Sequence, residues 1–164
     1  MENIIKELQN ELRTRFFTEG ENLPKIPAVK VYRFTDERIE MPQTDNPYLY
    51  IVLDGMLRLY TPSGIMDYMA RQYSVSKIDT PLSGTVLAFS EQQDFLAISI
   101  EFTPSDVIQT ILELDNELTE RIMSEQLSEQ EMTLSDSEVL QSVSRLFSVM
   151  NHQTVPSEFI RKNI

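Results

Sequence analysis

PYLYIVLDGMLRLY, residues 47–60, is the stretch of the chain that decides the fold. Two runs of aliphatic and aromatic residues flank Asp54-Gly55, and this composition is typical of β-strands. Asp-Gly predicts a tight hairpin between the runs, because both residues tolerate a positive φ. The stretch therefore predicts two antiparallel strands.

Runs of similar composition occur at short intervals on both sides of this stretch. They are VKVYRF (29–34), YSVSKI (73–78), TVLAF (85–89) and FLAISIEF (95–102). Pro62-Ser63-Gly64 predicts one further chain reversal, and Pro81 with Gly84 predicts another. Short strands joined by tight turns favour an antiparallel sandwich or barrel over a parallel sheet.

The two ends of the chain have helical periodicity instead. Residues 2–18 carry apolar side chains every three or four positions and stop before Gly20, which predicts a helix followed by a connector over 21–28. Thr103-Pro104 predicts the start of a second helix, and a capping-box pattern predicts a third over 135–150. One helix, a series of strands and then more helices predict an α+β fold.

The composition of the 164 residues excludes several classes of protein. An apolar fraction of 41% is too high for a disordered acidic chain, and no apolar run approaches the roughly 18 residues of a membrane-spanning helix. The N-terminal residues mix acids with apolar residues and lack a small-residue cleavage site, unlike a signal peptide. The sequence contains no cysteine, which excludes disulfides and thiolate nucleophiles. These features predict a cytoplasmic protein that does not enter a membrane.

Acidic residues are concentrated in one region of the chain. The formal charge is −12, and residues 101–138 hold eleven acids against one base, Arg121. Solvated helix faces explain such a region most simply, while a docking surface for a basic partner is the alternative. The negative balance also argues against this sequence binding a phosphate backbone by itself.

The sequence offers no recognisable catalytic set. The one histidine, His152, follows a predicted helix, where it can cap carbonyl groups and complement the helix dipole. Metal sites usually need two or three His or Cys ligands, and phosphate loops need clustered glycines, whereas this chain has four scattered glycines. Carboxylate chemistry is not indicated either, because the acids concentrate in the helical region.

The aromatic and cationic residues of the strand region indicate a small-molecule pocket. Alternate residues of a strand share a face, so Tyr48 and Tyr50 lie together, and Arg58 and Tyr60 lie together. A barrel mouth lined by such side chains suits a small ligand. The candidate ligand-binding residues are Tyr50, Arg58, Tyr60, Tyr73, Lys77 and Phe89. In the alternative reading, the tyrosines pack the barrel wall, and Arg58 and Lys77 point to water.

The order of these motifs resembles a known family. The motifs are residues 47–55, then Tyr68 and Tyr73 with Asp79-Thr80-Pro81 and Gly84, and then the aromatic-Leu-Ala strand at 95–102 before Pro104. Over residues 28–164 the sequence is similar to the N-terminal domain of AraC-type transcriptional regulators. It departs from the family pattern at Met69-Ala70-Arg71, where an Asp-Pro-Gly turn is usual, and at Asp94, where a proline is usual.

The resemblance implies a cupin-like antiparallel β-barrel of the double-stranded β-helix type with an N-terminal helix and C-terminal flanking helices. It divides the chain into an N-terminal helix and connector (1–27), the barrel (28–103) and the C-terminal helices (104–164). It implies that a small-molecule effector binds in the barrel without a metal or other cofactor, and that the helices pair two subunits into a homodimer. The predicted dimer-interface residues, which have the 4-3-4 spacing of a helix–helix seam, are Val139, Val143, Leu146 and Met150.

In the family, DNA binding belongs to helix-turn-helix units that follow this domain, and these 164 residues do not contain them. Residues 157–164 read as the beginning of a helix without an end signal, which indicates that more chain follows. The resulting hypothesis is the effector-sensing, dimerising domain of a bacterial transcription regulator that is not an enzyme. The alternative is a metal-free cupin-like enzyme that acts on a small metabolite through Tyr60, Lys77 and Glu101.

Overall fold

The computed structural model describes residues 2–76, 83–113, 133–134 and 137–149. In these ranges the helices are α1 (Glu2–Arg15), α2 (Pro104–Glu113) and α3 (Ser137–Val149). The strands are β1 (Gly20–Asn22), β2 (Val29–Phe34), β3 (Arg38–Ile39), β4 (Tyr48–Asp54), β5 (Met56–Thr61), β6 (Gly64–Met69), β7 (Gln72–Ser76), β8 (Ser83–Ala88), β9 (Phe95–Glu101) and β10 (Thr133–Leu134). This order confirms the predicted α+β fold.

The strands form two antiparallel sheets that face each other. The larger sheet has the order β1-β2-β9-β4-β7-β10, and the smaller sheet has the order β3-β8-β5-β6. Side chains from both sheets, such as Tyr50 of β4 and Leu57 of β5, share one buried cluster. The described strands thus build an antiparallel sandwich of two sheets, without the continuous strand pairing that closes a barrel.

The Asp54-Gly55 turn does not form the predicted hairpin. β4 pairs with β7 and β9, while β5 pairs with β6 and β8, so the turn carries the chain from one sheet to the other. Gly55 has a φ of 90°, and a Cβ atom there would lie 2.7 Å from the carbonyl oxygen of Ala88. The prediction is wrong because Asp-Gly specifies a sharp change of backbone direction and not which strands pair around it.

The two other predicted turns have different outcomes. The Pro62-Ser63-Gly64 reversal is confirmed, because Thr61 pairs with Gly64 in the β5–β6 hairpin. The prediction that Gly84 lies in a chain reversal is wrong, because Gly84 lies inside β8. Pro81, the other residue of that predicted turn, lies outside the described residues. Gly84 provides space instead, since a Cβ atom there would approach the Ile39 side chain to 3.0 Å.

The outer face of the larger sheet carries the first hydrophobic core. Ile5, Leu8 and Leu12 of α1 are spaced by three or four residues and are at most 2% exposed. They pack with alternate residues of the central strands, including Ile51 of β4 and Ile98 of β9. Because α3 contributes to the same core, the N-terminal helix, the sheet and α3 form one packed unit.

Two segments outside the predicted barrel limits, 28–103, add strands to the larger sheet. Residues 20–22, which straddle the predicted end of the helix and the start of the connector, form β1 and pair with β2. Residues 133–134 form β10 and pair with β7. The predicted limits therefore leave out both edge strands of this sheet.

A buried ion cluster fastens α1 to the larger sheet. The Asp94 carboxylate is fully buried and accepts hydrogen bonds from Arg13 at 2.8 Å, Arg33 at 2.9 Å and Ser90 at 2.7 Å. Arg13 also donates to Asp54 at 2.7 Å. Burial acts to raise the pKa of Asp94, but the hydrogen bonds from Arg13 and Ser90 and the charge of Arg13 outweigh burial and hold this pKa below its usual value. Asp94, a departure from the family pattern, is therefore the centre of a structural contact.

Helix α2 begins at the cap that the sequence predicts. The Thr103 backbone N–H and hydroxyl both donate to Asp106 Oδ2, and the Asp106 N–H donates back to Thr103 Oγ1. This helix has no buried side chain, and its apolar residues include the exposed Ile108 and Leu112. None of the described helices is long and apolar enough to cross a membrane.

Candidate functional site between the two sheets

A second buried cluster, here called the inner cluster, lies between the sheets and has two unlike walls. The larger sheet contributes phenol side chains, among them Tyr32, Tyr48 and Tyr50. The smaller sheet contributes mainly aliphatic side chains, among them Leu57 and Leu59. One wall can therefore form hydrogen bonds, while the other offers mainly apolar contacts.

Tyr50 has an unused polar group in the first of these walls. It is 1% exposed, and its hydroxyl group has no hydrogen-bond partner. Its cross-strand neighbours are Ser74 on β7 and Ser99 on β9. Both serine hydroxyls are engaged elsewhere, because Ser99 donates to Tyr32 at 3.4 Å and Ser74 hydrogen-bonds with Tyr68. A buried hydroxyl without a partner costs roughly 1–3 kcal/mol, so Tyr50 is a candidate ligand contact.

Burial keeps the phenol groups of this wall protonated. Desolvation raises the pKa of Tyr50 well above its usual value, and the neighbouring Tyr32 and Tyr48 add to this effect. Desolvation also raises the pKa of Tyr48, against an opposing effect of the hydrogen bond with Ser76. At neutral pH these groups are therefore uncharged and can donate a hydrogen bond.

Three charged side chains occupy inward-facing strand positions in the described part of the chain, namely Glu21, Lys30 and Glu101. Lys30 Nζ lies 3.1 Å from Glu21 Oε2, and the Tyr32 hydroxyl donates to the same oxygen at 3.2 Å. Glu101 accepts a hydrogen bond from Asn46 at 2.7 Å. With two acids and one base, these positions carry a net negative charge.

Two of the six predicted ligand-binding residues belong to this region. Tyr50 is part of the inner cluster, and Phe89 packs against it. Their contact with a ligand stays a prediction. Lys77 lies outside the described residues.

Arg58 and Tyr60 do not face the inner cluster, which corrects their predicted place in the barrel interior. Leu57 and Leu59 take the inward positions of β5, so Arg58 and Tyr60 lie on the outer face of the smaller sheet. There Arg58 donates two hydrogen bonds to the Asp67 carboxylate, each at 2.7 Å. The alternation of β5 established which residues share a face but not which face is buried.

This placement also separates the residues of the enzyme alternative. Tyr60 lies on the outer face of the smaller sheet, whereas Glu101 occupies an inward position of the larger sheet. Lys77 lies outside the described residues. No observation on the described residues therefore favours an active site formed by this set.

Tyr73 also faces away from the inner cluster. It pairs with Ile51 of the first hydrophobic core and packs against that core beneath α1 and α3. The next residue, Ser74, takes the inward position beside Tyr50. Tyr73 thus packs the wall of the sheet, as the alternative reading held.

The predicted dimer-interface residues of α3 pack against the core of their own chain. Val143 and Leu146 are 3% and 6% exposed in the single chain, and Val139 packs against the same core. Met150 lies outside the described residues. Val139, Val143 and Leu146 thus pack within the single chain, because an apolar stripe has the same spacing whichever chain covers it. A contact between these α3 positions and a second subunit stays a prediction. Formation of a homodimer stays a prediction.

The polar neighbours of Tyr50 are the part of the region that sequence reasoning missed. The period-two alternation of β7 does separate Ser74 from the apolar Tyr73 and Val75. A polar face of a strand is normally read as solvent-exposed, however, and the sequence does not reveal that it lies against a second sheet. Only the strand pairing places Ser74 and Ser99 on either side of Tyr50.

Residues 25–158 match the family described as the AraC-type transcriptional regulator N-terminus. The chain belongs to this family. The match covers most of the sequence and confirms the resemblance inferred from the ordered motifs. None of the curated protein sequences compared with this AraC-type domain matches it significantly.

Two structures of ToxT from Vibrio cholerae resemble the AraC-type domain in fold. One, bound to (E)-4-(8-methylnaphthalen-1-yl)but-3-enoic acid, has a TM-score of 0.57 and 11% identity over 81% of this chain and 51% of ToxT. The other, at 1.65 Å resolution, has a TM-score of 0.54 and 12% identity over 82% of this chain and 52% of ToxT. The chain thus spans about half the length of ToxT. A cupin-2 domain protein from Shewanella frigidimarina has a TM-score of 0.43 and 12% identity over 57% of this chain and 92% of that protein.

Over the residues that the structure describes, no group of three or more His, Cys, Asp or Glu side chains is placed to hold a metal ion. Independence of metals and other cofactors stays a prediction for the whole chain.

Proposed function

We propose that this AraC-type domain senses a small-molecule effector, which binds between the two sheets and contacts the Tyr50 hydroxyl. The observation that carries the proposal is that this hydroxyl is buried and unpartnered within a wall of phenol groups. A ligand with a polar atom at this point would remove the cost of the unsatisfied group and would gain a hydrogen bond. Membership of a family of transcriptional regulators supports a sensory role. The acid bound to ToxT supports the ability of this fold to accept a small organic molecule.

In this proposal the domain acts in the cytoplasm, catalyses no reaction and controls transcription through a helix-turn-helix part outside these 164 residues. Effector binding would change how the helices of the domain position that part on DNA. Two copies of the chain would form a homodimer. Light scattering over a range of concentrations tests this step, and a chain that stays monomeric at high concentration contradicts it.

A thermal-shift screen of sugars, fatty acids and aromatic metabolites is the first test of effector binding. Calorimetry then compares the wild type with Tyr50→Phe, which removes the proposed contact, and with Tyr60→Phe, which makes the same change on the outer face. We expect an effector to bind wild type and Tyr60→Phe equally well, and to bind Tyr50→Phe about tenfold more weakly. Equal binding to Tyr50→Phe, or a screen without any stabilising compound, contradicts the proposal.

A further inference from the structure

The charges that face the inner cluster restrict the class of effector. Among the inward strand positions of the described ranges the one base is Lys30, and Glu21 already pairs with it at 3.1 Å. Tyr32 donates to the same carboxylate at 3.2 Å, which holds that carboxylate beside the lysine. Glu101 adds a second negative charge. At these described, partly exposed positions an anionic ligand would therefore meet a net negative charge and would have to compete with Glu21 for Lys30.

Two other bases of the strands are committed to the outer surfaces. Arg33 donates to the buried Asp94 at 2.9 Å on the helix side of the larger sheet. Arg58 donates to Asp67 on the outer face of the smaller sheet. Either guanidinium would have to break these contacts and cross its own sheet to reach the inner cluster.

The walls indicate what the ligand must offer. Leu57, Leu59 and Val86 line the smaller sheet and require apolar surface opposite them. Tyr50 requires an acceptor, because its O–H group is the buried donor that its serine neighbours leave unused. A carbonyl oxygen provides that acceptor without carrying a charge.

We infer that the effector is an uncharged, largely apolar molecule that presents a carbonyl or similar neutral oxygen to the Tyr50 hydroxyl. The inference rests on the proposed function, because it names the ligand class of the same site. The acid bound to ToxT belongs to a different class. At 11% identity the likeness between the two domains shows a shared fold alone.

The test compares ketones with carboxylates of similar shape at neutral pH. The probes are 1-acetonaphthone against 1-naphthoate, acetophenone against benzoate, and 2-decanone against decanoate. Dissociation constants are measured by calorimetry for the wild type, Tyr50→Phe and Glu21→Gln. We expect at least one ketone to bind wild type about tenfold more tightly than its matched carboxylate and to lose about tenfold in Tyr50→Phe.

Glu21→Gln isolates the contribution of charge. It removes the negative charge beside Lys30 and keeps the shape of a partly exposed side chain. We expect carboxylate binding to improve on the order of tenfold and ketone binding to stay unchanged. Circular dichroism of each variant verifies that it folds.

The outcomes separate the two proposals. A carboxylate that binds wild type as tightly as its ketone overturns the inference and leaves the proposed function standing. Ketone affinity that is unchanged in Tyr50→Phe overturns the inferred contact. Failure of all six probes overturns the inference, and the proposed function falls with it if the wider screen also yields no ligand.

Discussion

Removal of one oxygen atom, in Tyr50→Phe, is expected to stabilise the ligand-free domain. Most buried substitutions destabilise a protein, but the Tyr50 hydroxyl is buried without a hydrogen-bond partner. The desolvation cost of such a group is about 1–3 kcal/mol, and the variant recovers it. The void left by one oxygen atom, roughly 15 Å³, costs about 0.4 kcal/mol. The net gain is therefore about 0.6–2.6 kcal/mol in the free energy of unfolding. At about 2–4 °C per kcal/mol for a chain of this size, Tm should rise by roughly 1–10 °C.

Tyr32→Phe is the matched control, because it removes the same atom from the same wall. The Tyr32 hydroxyl donates to Glu21 at 3.2 Å and accepts from Ser99 at 3.4 Å. Its removal is expected to cost about 1–2 kcal/mol, so the two variants should change stability in opposite directions. Urea denaturation followed by circular dichroism suits the measurement, since the chain has no tryptophan. Loss of stability in Tyr50→Phe by as much as in Tyr32→Phe would refute the claim that the Tyr50 hydroxyl is unpartnered.

Three further predictions concern the contacts that hold the fold. Asp94→Asn should destabilise the domain by about 3 kcal/mol in urea denaturation, because it leaves the charge of the largely buried Arg13 undercompensated. Asp67→Asn, the control at the exposed Arg58–Asp67 ion pair, should cost far less. The lowered pKa of Asp94 means that its contribution is complete above the ordinary carboxyl pKa of about 4 and is lost as the pH falls through the lowered value. Urea midpoints measured from neutral to acid pH should therefore fall more steeply for wild type than for Asp94→Asn, and parallel profiles would contradict this. Gly55→Ala should cost more than about 1 kcal/mol, because its positive φ strains an alanine and its Cβ would also meet a backbone oxygen at 2.7 Å. Gly64→Ala adds backbone strain at a φ of 143° but no contact within 4 Å, so it should cost less by thermal denaturation.

The strands and helices with a strong period were predictable from the sequence. VKVYRF and YLYIVL were predicted as strands and form β2 and β4, because β-branched and aromatic residues suit a pleated surface. The first helix was predicted over 2–18 and covers Glu2–Arg15. Strand β6 was missed because GIMDYM mixes polar and apolar residues without clear alternation. Local patterns therefore located most elements, while the exchange of sheets at Gly55 depends on pairings distant in sequence.

The candidate site was predicted only in part, for a related physical reason. The period of two placed Arg58 and Tyr60 on one face and Leu57 and Leu59 on the other, but the buried face is decided by the second sheet. Tyr50 was predicted correctly as a residue of the interior, yet the absence of a partner for its hydroxyl follows from contacts that no single strand contains. Burial and hydrogen bonding are properties of the assembled sandwich.

Strand β4 places the two cores one residue apart. Tyr50 belongs to the inner cluster, and its neighbour Ile51 belongs to the core beneath α1 and α3. Both side chains are attached to the same backbone. A displacement of β4 toward or away from the smaller sheet would therefore also move Ile51 in the core that packs against the helices. A displacement of β4 caused by an occupant of the interior would therefore act on the core that α1 and α3 share with the larger sheet.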